Sequence, residues 1–205
     1  MNDGPARQRE AALAGHRGDA DAARAALLDA DARVRATALG ALSRAGGLSV
    51  ADVDAALDDR SPDVRRRACE VAAAAHLVLA APSVAAHLAD EDASVVEVAS
   101  WALGELGEAG PLPPDTVDAL SAVATTHDDA LAREAAVAAL GAIGDPAGLA
   151  AILAATTDKP AIRRRAVLAL APFDGPEVEA ALARAAEDRD WQVRDAAELL
   201  RRDTE

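Results

Sequence analysis

Residues 61–68 read Ser61-Pro62-Asp63-Val64-Arg65-Arg66-Arg67-Ala68, and the centre of this pattern recurs along the whole chain. A small or β-branched residue is followed by Arg, with Val96 as the one substitution at the Arg position, and an Ala lies four residues after the first member of each pair. The pairs are Val34-Arg35, Val64-Arg65, Val95-Val96, Ala132-Arg133, Ile162-Arg163 and Val193-Arg194, and the alanines are Ala38, Ala68, Ala99, Ala136, Ala166 and Ala197. The pairs begin 30, 31, 37, 30 and 31 residues apart. Such a period predicts an array of repeats that stack on one another to form one continuous core.

Each repeat is predicted to be a pair of helices. In the first repeat, residues 20–28 form a short helix and residues 32–45 a longer one, with apolar residues at helical spacing. Asp31 is placed to cap the second helix, because its carboxylate can accept from the free N–H groups of the first turn. The same order recurs, so we predict six helix pairs, an N-terminal capping helix at about residues 5–14, and no strands.

The spacing also divides the array into two similar halves. The steps of 30 and 31 residues occur on both sides of the 37-residue step, which aligns residues 19–107 with 115–202. The joining segment, residues 107–114, contains Pro111, Pro113 and Pro114 and cannot be helical throughout. We therefore expect one solenoid over residues 1–205, with two three-repeat halves and a stiff joint.

The chain is acidic, with a net charge of −14, and Lys159 is its only lysine. This balance argues against nucleic acid and anionic membranes as partners. Two explanations stay open: adaptation to a salt-loving or GC-rich microbe, which we favour, or an acidic binding face. The charged residues 1–10 do not resemble a secretory signal, and no stretch has the length and apolarity of a membrane span, so a cytoplasmic location is expected.

Two stretches resemble the HEAT-repeat consensus of the phycobilisome-lyase-like (PBS-type) class: Asp29-Ala30-Asp31-Ala32-Arg33-Val34-Arg35 and Ser61-Pro62-Asp63-Val64-Arg65-Arg66-Arg67-Ala68. The segments Ala102-Leu103-Gly104-Glu105-Leu106-Gly107 and Ala139-Leu140-Gly141-Ala142-Ile143-Gly144-Asp145 are similar to its second half. The resemblance covers about residues 19–202 and implies a right-handed α-solenoid of about six HEAT-like helix pairs. It also implies a structural ladder between repeats, formed by Arg35, Arg65, Arg133, Arg163 and Arg194 with Asp29, Asp59, Asp90 and Asp188.

The sequence offers little chemistry. It has no tyrosine, no HExxH motif, no Gly-rich phosphate loop and no nucleophile elbow. The four histidines are scattered, and Cys69 is alone, so we expect no catalytic residue, no metal site and no cofactor. Phycobilin lyases share the repeat, and HEAT-like DNA glycosylases use a basic channel lined with aromatics. This chain is acidic and has only 1% aromatic residues, which makes the glycosylase comparison weak.

The second helix of each repeat is expected to line the concave face of the array, and Trp101 lies near its centre. An apolar strip with polar edges suits an amphipathic helix or an extended peptide. We predict that this face binds a partner through Arg66, Glu97, Trp101, Glu134, Val137, Arg164 and Leu168. For the aliphatic positions, packing against neighbouring helices is the favoured alternative; for Trp101, partner contact is favoured.

These observations favour a non-enzymatic adaptor or scaffold that binds a segment of another protein. The sequence leaves the oligomeric state open, and a monomer is favoured. The alternative is an accessory or chaperone-like subunit of an enzyme, as in the lyase relatives.

Overall fold

The computed structural model describes residues 3–202. The α-helices are α1 (Gly4–Arg17), α2 (Ala20–Ala25), α3 (Ala32–Arg44), α4 (Val50–Leu57), α5 (Pro62–Ala74), α6 (Ala81–Ala86), α7 (Ala93–Ala109), α8 (Thr116–Thr126), α9 (Ala130–Ile143), α10 (Leu149–Ala155), α11 (Pro160–Ala169), α12 (Pro176–Ala186) and α13 (Trp191–Arg202). Short 3-10 turns lie at Ala26–Leu28, Val78–Ala80, His87–Ala89 and Pro146–Gly148. The predicted all-α class, with a helix preceding six pairs, is confirmed, and residues 3–202 contain no strand.

The second helices begin where the capping residues predict. Asp31, Asp92, Asp129 and Asp190 each accept from a backbone N–H two residues further on, at 2.8–3.0 Å. Ser61 and Lys159 make no such bond. Their helices begin with proline, which has no N–H to satisfy, so a side-chain cap is less needed there.

The repeated pattern forms the core. The first residue of every pair and the alanine four residues after it are at most 2% exposed. Alanine at these positions allows the helices to approach closely, and glycines extend this contact. A Cβ built on Gly15 of α1 would lie 2.6 Å from the Cα of Ala41, and one on Gly141 would lie 2.7 Å from the Cα of Ala169. The backbones therefore pack directly against each other at these points.

The chain divides into two compact units, residues 1–102 and 103–205. In the first unit, α1 packs on α3 and α3 on α5, forming a row of second helices, while α2 and α4 pack against that row. In the second unit, α9, α11 and α13 form the corresponding row, with α8, α10 and α12 against it. Helix α7 continues to Ala109, so only residues 110–115 of the proline-rich region are non-helical.

Candidate functional site

Arginines at the start of the second helices bind the aspartate that precedes the next second helix. Arg35 donates from Nε and Nη2 to the two carboxylate oxygens of Asp59, both at 2.7 Å. Arg65 binds Asp90 in the same way, at 2.8 and 2.7 Å. The second unit contains the equivalent pairs Arg133–Asp158 and Arg163–Asp188. Each pair is a bidentate, charge-assisted contact between consecutive repeats.

The ladder arginines and aspartates also hydrogen-bond to the loop that precedes each second helix, as at residues 59–61 before α5. Arg65 Nη1 donates to the carbonyl of Asp59 at 2.9 Å, and the Asp59 carboxylate accepts from the N–H of Ser61 at 2.8 Å. One guanidinium thus binds its own loop and the next repeat together. We call the set of these contacts the ladder.

The predicted ladder needs three corrections. The carboxylate of Asp29 binds Arg7 of α1, with Nε to Oδ2 at 2.7 Å, whereas Arg35 donates only to the backbone carbonyl of Asp29, at 2.8 Å. Arg133 binds Asp158, which the sequence analysis did not select. Arg194 donates to the backbone carbonyls of Asp188 and Arg189 and contacts no carboxylate in the described residues.

The Arg7–Asp29 contact shows that α1 follows the repeat pattern. Ala6-Arg7 matches Ala132-Arg133, and from there Gly15, Gly18 and Asp19 fall on Gly141, Gly144 and Asp145. The agreement extends to conformation: Gly18 and Gly144 end their helices at φ 72° and 67°, and Asp19 and Asp145 both accept from a backbone N–H. Helix α1, the predicted N-terminal capping helix, therefore also follows the pattern of the second helices.

The ladder carboxylates are held ionised. Burial alone raises the pKa of Asp90, but hydrogen bonds from Arg65, the Asp92 N–H and His87 outweigh it and leave this pKa below its usual value. In Asp158 and Asp188 the arginine hydrogen bond is itself the largest cause of the lowered pKa. The reciprocal contacts raise the pKa of Arg65, Arg133 and Arg163. Each ladder pair is thus two charges that stabilise one another.

The pattern is altered once, at the longest spacing. Val96 stands where other repeats have the ladder arginine, and His127 stands where the repeat at Ala132 would have the aspartate. His127 still accepts through Nδ1 from the N–H of Asp129 at 3.1 Å, as the aspartates do from the residue two further on. The imidazole therefore keeps the local role of the carboxylate in the loop without its charge.

The face predicted to bind a partner is best described by one set of positions, six residues after each pair begins. We call it the outer column: Gly40, Glu70, Trp101, Ala138, Leu168 and Leu199. Trp101 is 42% exposed, and Leu168 is half-buried against the core of the last repeats. The neighbouring residues Arg66, Glu97 and Glu134 are half-buried and Arg164 is exposed.

Val137 does not belong to this face, because it is fully buried. It lies five residues after its pair begins, and the residues at that position in the preceding three repeats, Leu39, Cys69 and Ser100, are also fully buried. Its burial agrees with core packing and leaves Val137 unavailable to a partner on this face.

Two reactive side chains, Cys69 and His87, are held by burial and by the ladder. Burial raises the pKa of the Cys69 thiol to about 12, which keeps it protonated and poorly nucleophilic. His87 donates through Nδ1 to the ionised carboxylate of the ladder residue Asp90 at 3.0 Å. Among residues 3–202, no group of His, Cys, Asp and Glu is arranged to hold a metal ion. None of the helices described is long and apolar enough to cross a membrane.

One concavity lies on the second helices of the first unit, and another lies on the first helices of the second unit. In the first unit, a cavity of about 350 Å³ opens on the row of second helices and is lined by Gln8, Arg33, Ala36, Thr37, Arg44, Asp63 and Arg67. We call it the arginine cavity. In the second unit, a wider groove of about 690 Å³ lies between α10 and α12 and is lined by Pro146, Leu149, Ala150, Leu153, Pro176, Glu177, Ala180 and Arg184.

Comparison with known proteins agrees with this architecture. The family described as HEAT repeats matches residues 81–161. The fold is similar to that of the Escherichia coli protein YibA, with a TM-score of 0.69 and 16% identity over 96% of this chain and 73% of that one. It is also similar to a designed armadillo repeat protein in complex with the peptide (KR)4, with a TM-score of 0.64 and 18% identity over 87% of this chain and 96% of that one.

A third similar structure is a computationally designed armadillo repeat protein for modular peptide recognition, with a TM-score of 0.55 and 19% identity over 80% of this chain and 84% of that one. No curated protein sequence matches the chain. At these identities the likeness concerns the fold, and it places the chain among the helical repeat solenoids of HEAT and armadillo type. The PBS-type subclass is not distinguished by these matches.

Proposed function

We propose that the protein is a non-enzymatic scaffold that binds a segment of another protein along the outer column of its second helices. The observation that carries this proposal is the exposure of Trp101. A partly exposed indole on a regular helix face costs solvation free energy in the free protein and provides a large, rigid contact in a complex.

The similar designed proteins support this use of the fold, since one was solved with a bound peptide and another was made for peptide recognition. A row of parallel second helices presents equivalent positions at regular intervals. An extended peptide or an amphipathic helix can contact several repeats at once, so affinity accumulates over many small contacts.

The test begins with a peptide selected from a random library against the folded chain. Trp101→Ala is expected to weaken binding of the selected peptide by about 2 kcal/mol or more, as removal of a central aromatic anchor does. The matched control is Trp191→Ala, which removes the other tryptophan, 65% exposed at the first residue of α13 and outside the outer column. Isothermal titration calorimetry gives both affinities.

Fluorescence gives a second readout, because the chain has two tryptophans and no tyrosine. In a Trp191→Phe background all emission comes from Trp101, and peptide binding should shift it to shorter wavelength. Equal affinities for the Trp101→Ala and wild-type proteins, with no spectral shift, would exclude the outer column as the binding face.

We also propose that the repeats are of the PBS type, because that resemblance implies an Asp–Arg ladder and the structure contains such pairs in both units. The role of accessory enzyme subunit follows from the same resemblance. Visible absorbance in the purified protein, from a bound pigment, would favour that role over the scaffold.

A further inference from the structure

The arginine cavity is lined by more basic than acidic side chains, although the chain as a whole is acidic. Its lining contains three guanidinium groups, those of Arg33, Arg44 and Arg67, and one carboxylate, that of Asp63. The chain as a whole carries a net charge of −14. Its volume of about 350 Å³ is in the range of sites that hold small polar groups. Arg33 and Arg67 are paired with Asp31 and Glu70, so among the described residues the lining charge without an ion pair is that of Arg44, on the same row of helices as the proposed binding face.

The three arginines keep donors free for a ligand. Arg44 makes no ion pair with any described residue, and it lies in the last turn of α3. Arg33 is paired with Asp31 at 2.8 Å, but 61% of its side chain is exposed. A guanidinium has five N–H donors, so a single carboxylate leaves most of them available.

Arg67 is fixed across the cavity by its neighbours. Its Nη1 donates to Glu70 at 2.6 Å, and its Nη2 lies against the backbone of Gly40. A Cβ at Gly40 would collide with this guanidinium, so the outer-column glycine makes the space in which Arg67 lies. Glu70 and Gly40 thus hold one arginine in a defined position, which reduces the entropy lost when it binds an anion.

We propose that the arginine cavity binds the carboxylates of an acidic segment of the protein partner, an inference that rests on the proposed scaffold function. Two observations select this ligand. Arginine forks bind carboxylates in a bidentate manner, as they do throughout the ladder of this chain. The cavity also adjoins the outer column, because Arg67 contacts Gly40 and Glu70. A segment with acidic residues and an apolar residue therefore fits both the cavity and Trp101.

The repeat geometry sets the spacing of such a segment. Adjacent packed helices lie about 8–10 Å apart, which puts Trp101 of α7 roughly 10–20 Å from the cavity between α3 and α5. An extended chain covers that distance in about three to six residues. A nucleic acid is the less suitable polyanion, because its long phosphate backbone would meet the acidic remainder of the surface.

The experiment uses three fluorescein-labelled probe peptides against the full chain. Each has a Leu-Phe pair and a four-residue Gly-Ser spacer, followed by three glutamates, three glutamines or three lysines. The glutamate peptide is expected to bind about ten-fold more tightly than the glutamine peptide, as for a charged hydrogen bond gained. Arg44→Gln should remove most of this difference, whereas Arg184→Gln, the same change on α12, should leave it intact. Circular dichroism confirms that both variants fold.

The outcomes separate this inference from the proposed function. If all three peptides bind equally and Trp101→Ala weakens each of them, the scaffold function holds and the acidic ligand is wrong. Preference for the lysine peptide likewise overturns the acidic ligand. If none of the peptides binds but single-stranded oligonucleotides do, and Arg44→Gln abolishes that binding, the cavity is a nucleic-acid contact and the inference falls. If Arg44→Gln loses the preference for the glutamate peptide and Arg184→Gln keeps it, the result supports an acidic ligand in the arginine cavity.

Discussion

Asp90 is the most enclosed of the ladder carboxylates, with 4% of its side chain exposed, and its partner Arg65 is 9% exposed. Replacing Asp90 by Ala leaves the Arg65 guanidinium half-desolvated and without its bidentate partner. We expect Asp90→Ala to lower the free energy of unfolding by about 3 kcal/mol. Urea denaturation measures it. Glu91→Ala is the control, since Glu91 also lies near Arg65, at 3.9 Å, but is 91% exposed, and an exposed ion pair contributes little. Similar losses for both variants would contradict a structural role for the ladder.

Ala136 tests the packing of the second unit. It is fully buried on α9, and a leucine there must push neighbouring helices apart. We expect Ala136→Leu to destabilise by about 1–3 kcal/mol through overpacking. Ala122→Leu on α8, where the side chain is exposed, should change the free energy of unfolding by less than about 0.5 kcal/mol. Tolerance of leucine at both positions would show that the core face has been misassigned.

The sequence analysis missed Asp158 and misassigned Val137 for two different physical reasons. Asp158 lies four residues before its pair, whereas Asp29, Asp59, Asp90 and Asp188 lie five before theirs, so a fixed alignment passes over it. Val137 was expected to face away from the core, because it lies five residues after Ala132 and therefore points in a different direction from Ala132 on the same helix. In a repeat array, however, each inner helix has neighbours on both sides, and the packed surface is wider than for a helix at the edge of a domain.

At the scale of the element, α1 shows what periodicity could and could not reveal. The helix itself was predicted, at residues 5–14, and extends over Gly4–Arg17. Its membership of the array was missed, because Glu10 occupies the position of the repeated alanine. Arg7 and Gly15 make the contacts with the next repeat, to Asp29 and Ala41. These contacts are visible only in the structure.

Gly15→Ala places two effects against each other. Alanine favours a helix interior over glycine by about 0.5–1 kcal/mol, but its Cβ would collide with the backbone of Ala41. Backbone cannot move aside as a flexible side chain can, so we expect a net loss of about 1–3 kcal/mol. Faster proteolysis within α1 would accompany that loss. The control, Ala6→Gly on the exposed side of α1, should cost only the propensity difference. A more stable Gly15→Ala protein would mean that α1 does not pack closely on α3.

For the whole molecule, the net charge of −14 makes stability depend on the salt concentration of the solvent. The chain has 35 acidic and 21 basic residues, and several of each form the ion pairs of the ladder. The unpaired excess repels itself over longer distances, which salt screens more effectively than the half-buried pairs. We therefore expect the melting temperature to rise between low and molar potassium chloride. A flat or falling melting temperature would remove adaptation to salt as the explanation of the acidic composition.

The ladder also bears on how the chain reaches its native state. Each contact joins residues 22–25 positions apart, and none described reaches beyond the next repeat. Folds dominated by such local contacts have low contact order and short loops to close, so they fold rapidly. Nucleation can occur in any pair of repeats and spread in either direction, and lengthening the array by duplication adds partners without slowing the first step.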